Sequence, residues 1–204
     1  MLRRLISWCP VGTLLCAVGL WLAACGGKPS AETPRLSRGQ IKEWESAAEK
    51  GDAYDKYNIG KMYRDGEGMP KDLTNSVVWF RKSAEGGYAK GQYHLGLAYQ
   101  GAEGVAKSAE EAAKWFEKAS EQGYAKAQEK LGFVYWKGEG VARNLVAAHK
   151  WLSLAAAGGE GKAAKNVKKI ELSMTPQQIS EAKKLRETFT PKKLFKRPDK
   201  EKVK

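Results

Sequence analysis

From Ala53 onward the apolar positions keep a helical rhythm that restarts every 36 residues, so three stretches, 53–88, 89–124 and 125–160, superimpose without a gap. In register they share Ala53/Ala89/Ala125, Gly60/Gly96/Gly132, Tyr63/Tyr99/Tyr135, Glu67/Glu103/Glu139, Gly68/Gly104/Gly140, Trp79/Trp115/Trp151 and Gly87/Gly123/Gly159. Within each unit the pattern predicts two helices. The first runs roughly from Ala53 to Arg64, with Ile59 and Tyr63 (Leu95 and Tyr99; Leu131 and Tyr135) four apart on one side. The second opens at Asp72, Ser108 or Asn144, three strong N-caps, and closes at Gly87, Gly123 or Gly159, residues suited to a left-handed C-cap. A period of this size belongs to stacked helical hairpins, so the expected fold class is all-α: an α-solenoid of antiparallel helix pairs.

Finer features follow. Gly60, Gly96 and Gly132 sit inside first helices, where glycine costs about 1 kcal/mol against alanine, which implies close approach by the second helix. The expected covering residue is Trp79, Trp115 or Trp151. The turns Gly66-Glu67-Gly68, Ala102-Glu103-Gly104 and Gly138-Glu139-Gly140 place glycine where a positive φ is demanded; only Ala102 breaks a column. Ser108 with Glu111 three places on reads as a capping box. Ahead of the units, Ile41, Trp44, Ala47 and Ala48 recur at helical spacing up to Gly51, so 41–52 is a half-repeat cap. Behind them, Ala163, Ala164, Val167 and Ile170 form one stripe and Ile179, Ala182, Leu185 and Phe189 another, opened by Thr175-Pro176-Gln177-Gln178. Residues 161–190 are therefore C-terminal cap helices.

The Leu-Gly-x-x-Tyr core (Leu95 to Tyr99, Leu131 to Tyr135), the Gly-Glu-Gly-Val turn (Gly138 to Val141) and the Trp-Phe-x-Lys-Ala-x-Glu-x-Gly close (Trp115 to Gly123) resemble the SEL-one-like repeat family, relatives of the tetratricopeptide repeats. The resemblance covers about residues 41 to 160 and implies a binding scaffold; a Thr-Pro helix like that at 175–176 is a common finish to such arrays. Asp55 and Gly91 stand where the family usually has alanine, and Ile59 replaces leucine. Looser packing of the first unit is the expectation.

The N-terminus belongs to a different pattern. Met1-Leu2-Arg3-Arg4 precedes a mainly apolar run from Leu5 to Ala24, diluted by Pro10, Gly12, Thr13 and Gly19, and then Cys25. A basic start, an apolar middle and a small-residue exit read as a signal peptide, with a retained anchor or a plain secretory signal as the other readings. Leu22-Ala23-Ala24-Cys25 resembles the lipobox of bacterial lipoprotein signal peptides. That implies cleavage of 1–24 between Ala24 and Cys25, lipidation of Cys25, and attachment at the cell envelope outside the cytoplasm. With no aspartate after the cysteine, the enterobacterial sorting analogy points to the periplasmic face of the outer membrane. Cys9 and Cys16 would leave with the signal, so no internal disulfide can form. Residues 25–40, rich in Gly, Pro and Ser, read as a flexible tether.

Candidate chemistry is sparse. His94 aligns with Asn58 and Lys130, and His149 with Val77 and Ala113, so neither histidine column repeats a ligand; no metal site and no cofactor are expected. Serines lack a histidine and carboxylate in any recognisable motif, which favours a non-enzyme. The tyrosine and tryptophan columns could serve as a stacking ladder or as core, and core is the ordinary outcome for such stripes. Glu67, Glu103 and Glu139 are expected to be solvated or to meet neighbouring helix ends.

Function is better sought in columns that differ between units. Opposite the Leu/Tyr stripe lie Tyr54/Lys90/Lys126, Asn58/His94/Lys130, Lys61/Leu97/Phe133 and Arg64/Gln100/Trp136, a candidate partner-binding surface. Trp136 fits either an interface hot spot or packing against a cap helix. The formal charge of +13 falls to +11 without Arg3 and Arg4. Export removes nucleic acid as a partner. The basic tail 191–204, expected to be disordered, could instead meet anionic lipid or a cell-wall polymer. The expected partner of the array is a protein or peptide at the envelope. An enzyme acting on cell-wall peptides or β-lactams, and an accessory to envelope assembly or polymer export, are the alternatives.

Overall fold

The computed structural model describes residues 35–192 and 195. Among them are nine helices: α1 (Arg38–Lys50), α2 (Ala53–Asp65), α3 (Leu73–Glu85), α4 (Ala89–Gly101), α5 (Ala109–Glu121), α6 (Ala125–Lys137), α7 (Leu145–Ala157), α8 (Gly161–Glu171) and α9 (Pro176–Glu187). The hairpins α2/α3, α4/α5 and α6/α7 coincide with the three repeat units, and each second helix packs on the first helix of the next unit. The all-α solenoid expected from the 36-residue period is the architecture found.

Capping chemistry fixes the boundaries. The side chains of Asp72, Ser108 and Asn144 accept from the backbone N–H of Asn75, Glu111 and Ala147 at 2.9, 3.2 and 2.9 Å, satisfying one orphan donor at each second helix. The reciprocal half of the box at Ser108 does not form, because the Ser108 backbone N–H donates to the Tyr99 carbonyl at 3.1 Å, while the Glu111 carboxylate accepts from Lys114 at 2.6 Å. Complete boxes occur at Ser37/Gln40, Asp52/Asp55 and Thr175/Gln178. The turn and closing glycines take positive φ between 71° and 96°, and Ala102 adopts the same left-handed conformation at φ 57°. At Gly104 sterics matter as much as torsion. A Cβ there would lie 2.1 Å from the Leu73 carbonyl oxygen, because each turn tucks beneath the start of the preceding unit's second helix.

The helical glycines are covered by a different column from the one expected. A Cβ on Gly60, Gly96 or Gly132 would meet Phe80, Phe116 or Leu152 at 2.7, 2.7 and 2.6 Å. The tryptophans, one residue earlier and so about 100° around the helix, point between units. Trp115 packs with Val77, Phe80 and Ala84 of the unit before it, and Trp151 with Ala112, Ala113 and Phe116. Trp79 meets Ala48 of the N-terminal cap. The three indoles are 4–8% exposed, so this column is core. Lysines close over them: Lys82 over Trp79, Lys118 over Trp115 and Lys150 over Trp151, at 4.0–4.5 Å from the rings. The hydrophobic clusters therefore lie across unit boundaries, and no hairpin buries its apolar face by itself.

The caps complete the stack. Tyr63 donates its hydroxyl to Glu45 of α1 at 2.8 Å. Helix α8 starts in the register of a fourth unit, burying Ala163 and Ile170 while Ala164 faces solvent. Helix α9 then turns back onto α7, seating Ala182 and bringing Phe189 edge-on to Trp151 at 5.4 Å.

Candidate partner-binding surface

The twelve surface residues read from the sequence do not form one surface. Lys90 and Lys126 are exposed, and Asn58 and Lys130 half-buried. Lys61 is held by Glu67 and Asp65 at 3.0 and 3.7 Å, so the turn glutamate Glu67 pairs back onto the helix it follows. Phe133 and Trp136 stack at 6.0 Å and pack with Val167 and Met174 around Ala163 and Ile170, so Trp136 serves the C-terminal cap.

Arg64, His94, Leu97 and Gln100 come together. With Phe80 and Glu103 they line a hollow of about 340 Å³ between α2, α3 and α4. The Arg64 guanidinium lies 2.9 Å from His94 Nδ1 and is paired with Asp65 at 2.7 Å. His94 stacks on Phe80 at 5.1 Å. Burial first, and then the Arg64 charge, push the imidazole down from 6.5 to about 4, so it is neutral at physiological pH.

An aromatic ladder that sequence reasoning missed extends from this hollow. Tyr54 meets Tyr88 at 5.7 Å, Tyr88 meets Tyr57 at 5.3 Å, Tyr57 meets His94 at 5.6 Å, His94 meets Tyr93 at 5.2 Å, and Tyr93 meets Tyr124 at 5.3 Å. Tyr57/Tyr93 and Tyr88/Tyr124 are columns shared by two units of three. The third unit has Glu129 and Glu160 there, close enough to raise the Tyr93 phenol further after burial has already done so. The signal in the sequence is partial identity at the unit junctions, a weaker pattern than the fully identical columns. Tyr88 and Tyr124 also occupy the N-caps of α4 and α6 without any side-chain capping bond, a position where tyrosine is a poor choice for helix stability alone.

The sequence also missed a buried stitch and a buried trio. Gln92 and Gln128 donate to the carbonyls of Ala84 and Ser120 in the preceding unit, each at 3.2 Å. His149 lies 2.9 Å from Glu171 and 3.4 Å from Ser153 Oγ. Serine, histidine and carboxylate are thus in the order of a hydrolytic triad, but His149 and Ser153 are buried on one helix turn at 2% and 8% exposure. Neither lines the hollow beside Arg64 or the cleft between α5, α7 and α9. The trio ties α7 to α8.

Ala24 and Cys25, the cleavage and lipidation positions, lie outside the described residues. So do 193, 194 and 196–204 of the tail, while Pro191, Lys192 and Phe195 are placed against the array. No helix among the described residues is long and apolar enough to cross a membrane.

A helical hairpin stack with inter-unit cores and an exposed first-helix face is a repeat scaffold of the protein-binding kind. The Sel1 repeat model matches residues 53–88, 89–124 and 125–160, and the chain belongs to this family. It is similar to c5321, a protective antigen present in uropathogenic Escherichia coli strains displaying an SLR fold, at 34% identity and TM-score 0.67 over 75% of this chain and 33% of that one. It thus spans about a third of that relative's length. A Sel1 repeat protein from Oxalobacter formigenes is also 34% identical, with a TM-score of 0.58, covering 64% of this chain and 98% of that one. No curated protein matches the chain.

Proposed function

We propose that this protein is a lipid-anchored scaffold of the bacterial cell envelope that holds a protein or peptide partner on its repeat array and carries out no chemistry of its own. The observation that carries the reading is the first-helix face, where exposed Lys90 and Lys126 follow the ladder tyrosines Tyr88 and Tyr124 by two residues and the ladder runs on to the hollow beside Arg64. Such a face offers cationic and stacking contacts that differ from unit to unit, which is what selects one partner among many. The Leu22-Ala23-Ala24-Cys25 motif supports the anchor, two or more acyl chains being enough for stable membrane attachment. The similarity to a protective antigen fits a place outside the cytoplasm.

A photo-crosslinking residue at position 90 or 126, in cells, should capture a discrete envelope protein that the same residue at solvent-facing position 165 does not. Capture of nothing beyond background at both positions would remove the scaffold reading. For the anchor, a clickable fatty acid should label the wild type and not Cys25→Ala.

A further inference from the structure

Three residues of the chain's own C-terminal stretch, Pro191, Lys192 and Phe195, rest on the unit junctions beside the ladder. Pro191 packs on Gly123, where an added Cβ would come within 3.3 Å of the proline ring. The Lys192 backbone N–H donates to the carbonyl of Glu121, the last residue of α5, at 2.7 Å, and its ammonium meets the Glu121 carboxylate at 3.0 Å. Three residues further on, the Phe195 ring sits edge-on to Tyr88 at 5.2 Å. The seat is written twice in the repeat: Glu121, Gly123 and Tyr124 recur one period earlier as Glu85, Gly87 and Tyr88. From Pro191 to Phe195 is four residues, a reach of about 13 Å when extended. That carries the chain from one copy of the seat to the other.

We propose that this face is a docking site for an extended peptide of the form Pro-Lys-x-x-Phe, and that in the isolated protein its contacts are taken by the chain's own Pro191, Lys192 and Phe195. The features are complementary in kind. A left-handed glycine leaves room for the proline, an orphan helix-end carbonyl and a carboxylate receive the lysine, and a tyrosine ring receives the aromatic side chain. Glu129 and Glu160 lie at the end of the same ladder and the exposed Lys90 and Lys126 along it, so the lysine is received by the Glu121 carboxylate and not by the charge of the face as a whole. An outside peptide of the same chemistry has to displace the resident one, so access to the face is set by competition.

This deepens the scaffold reading and rests on it. The test titrates a fluorophore-labelled peptide spanning residues 189–197 into the full-length protein in detergent. A tethered segment has an effective concentration on the order of 1 mM, so for a probe of Kd about 0.1 mM the resident tail weakens binding about tenfold. Phe195→Ala should therefore bind the probe about tenfold more tightly than wild type, and Lys192→Glu should do the same through loss of the other anchor. Adding Glu121→Lys to Phe195→Ala, or replacing the probe's own phenylalanine by alanine, should abolish that gain. Equal affinity for wild type and Phe195→Ala, or no binding by either, overturns the proposal and leaves crosslinking at position 90 or 126 as an independent test of the scaffold. A wild-type dimer in sedimentation that Phe195→Ala dissolves would show the tail seated on a second copy, overturning the intramolecular arrangement.

Discussion

The Ser83 hydroxyl occupies the space that an alanine methyl at position 91 would need: a Cβ on Gly91 would lie 2.3 Å from Ser83 Oγ, which donates to the Ala53 carbonyl at 2.6 Å. One unit later the equivalent positions hold Ala127 and Ala119, both fully buried. Volume lost at one side of the boundary is returned at the other, so Gly91 does not loosen the array as its departure from the family pattern suggested. Asp55, the other departure, closes the capping box of α2 with Asp52.

This relationship sets the first prediction. Gly91→Ala should destabilise by about 1–2 kcal/mol, the overpacking outweighing the gain in helix propensity. Ser83→Ala should cost about 1 kcal/mol for the hydrogen bond. The double variant, which rebuilds the Ala119/Ala127 pair, should be within about 1 kcal/mol of wild type. Urea denaturation of the four proteins gives the coupling, and simple addition of the two single effects would sink the account.

A second prediction separates glycines needed for packing from those that are not. Gly96→Ala puts a methyl 2.7 Å from the Phe116 ring and should lower stability by about 1–3 kcal/mol. Gly39→Ala, on α1 with nothing nearer than Ser37 Oγ at 3.9 Å, should be neutral or stabilising by up to about 0.5 kcal/mol. Thermal unfolding should give shifts of opposite sign, or a fall for Gly96 alone.

A third concerns acid. The folded state holds His94 below its ordinary 6.5, at about 4, so the neutral ring contributes stability that is complete above pH 6.5 and lost as the pH falls towards 4. The loss over that window should be on the order of 2 kcal/mol. His94→Gln should have a shallower decline than wild type between pH 7 and pH 4.5 in denaturant titrations. Parallel declines would mean the ring is freely solvated.

The fourth divides the surface residues by role. Trp136→Ala should destabilise the C-terminal cap by about 2 kcal/mol, visible as faster amide exchange in α8, because it strips a stacked partner from Phe133. Lys126→Glu, at an exposed position, should leave stability within about 0.5 kcal/mol and weaken partner capture instead. Trp136→Ala with normal exchange in α8 would reopen its role as a contact residue.

Much of the fold was legible because repeat columns report local needs: caps at Asp72, Ser108 and Asn144, left-handed turns at Gly68, Gly104 and Gly140, apolar stripes at helical spacing. The site was less so. His94, Arg64 and Gln100 stand out in the sequence only as variable positions, and nothing in their spacing shows that Arg64 of one unit reaches His94 of the next, or that Tyr88 and Tyr124 join a ladder from N-cap positions.

The sequence by itself determined the number of hairpins, their ends and their family, since hydrogen-bond capping and helical periodicity act over a few residues and leave a readable trace. Tertiary structure alone decided which aromatic covers which glycine, which side chains meet across a boundary, and where Phe195 rests. Those contacts depend on how far each hairpin rotates and rises on the one before, a quantity set by the summed packing of both faces and written in no single position.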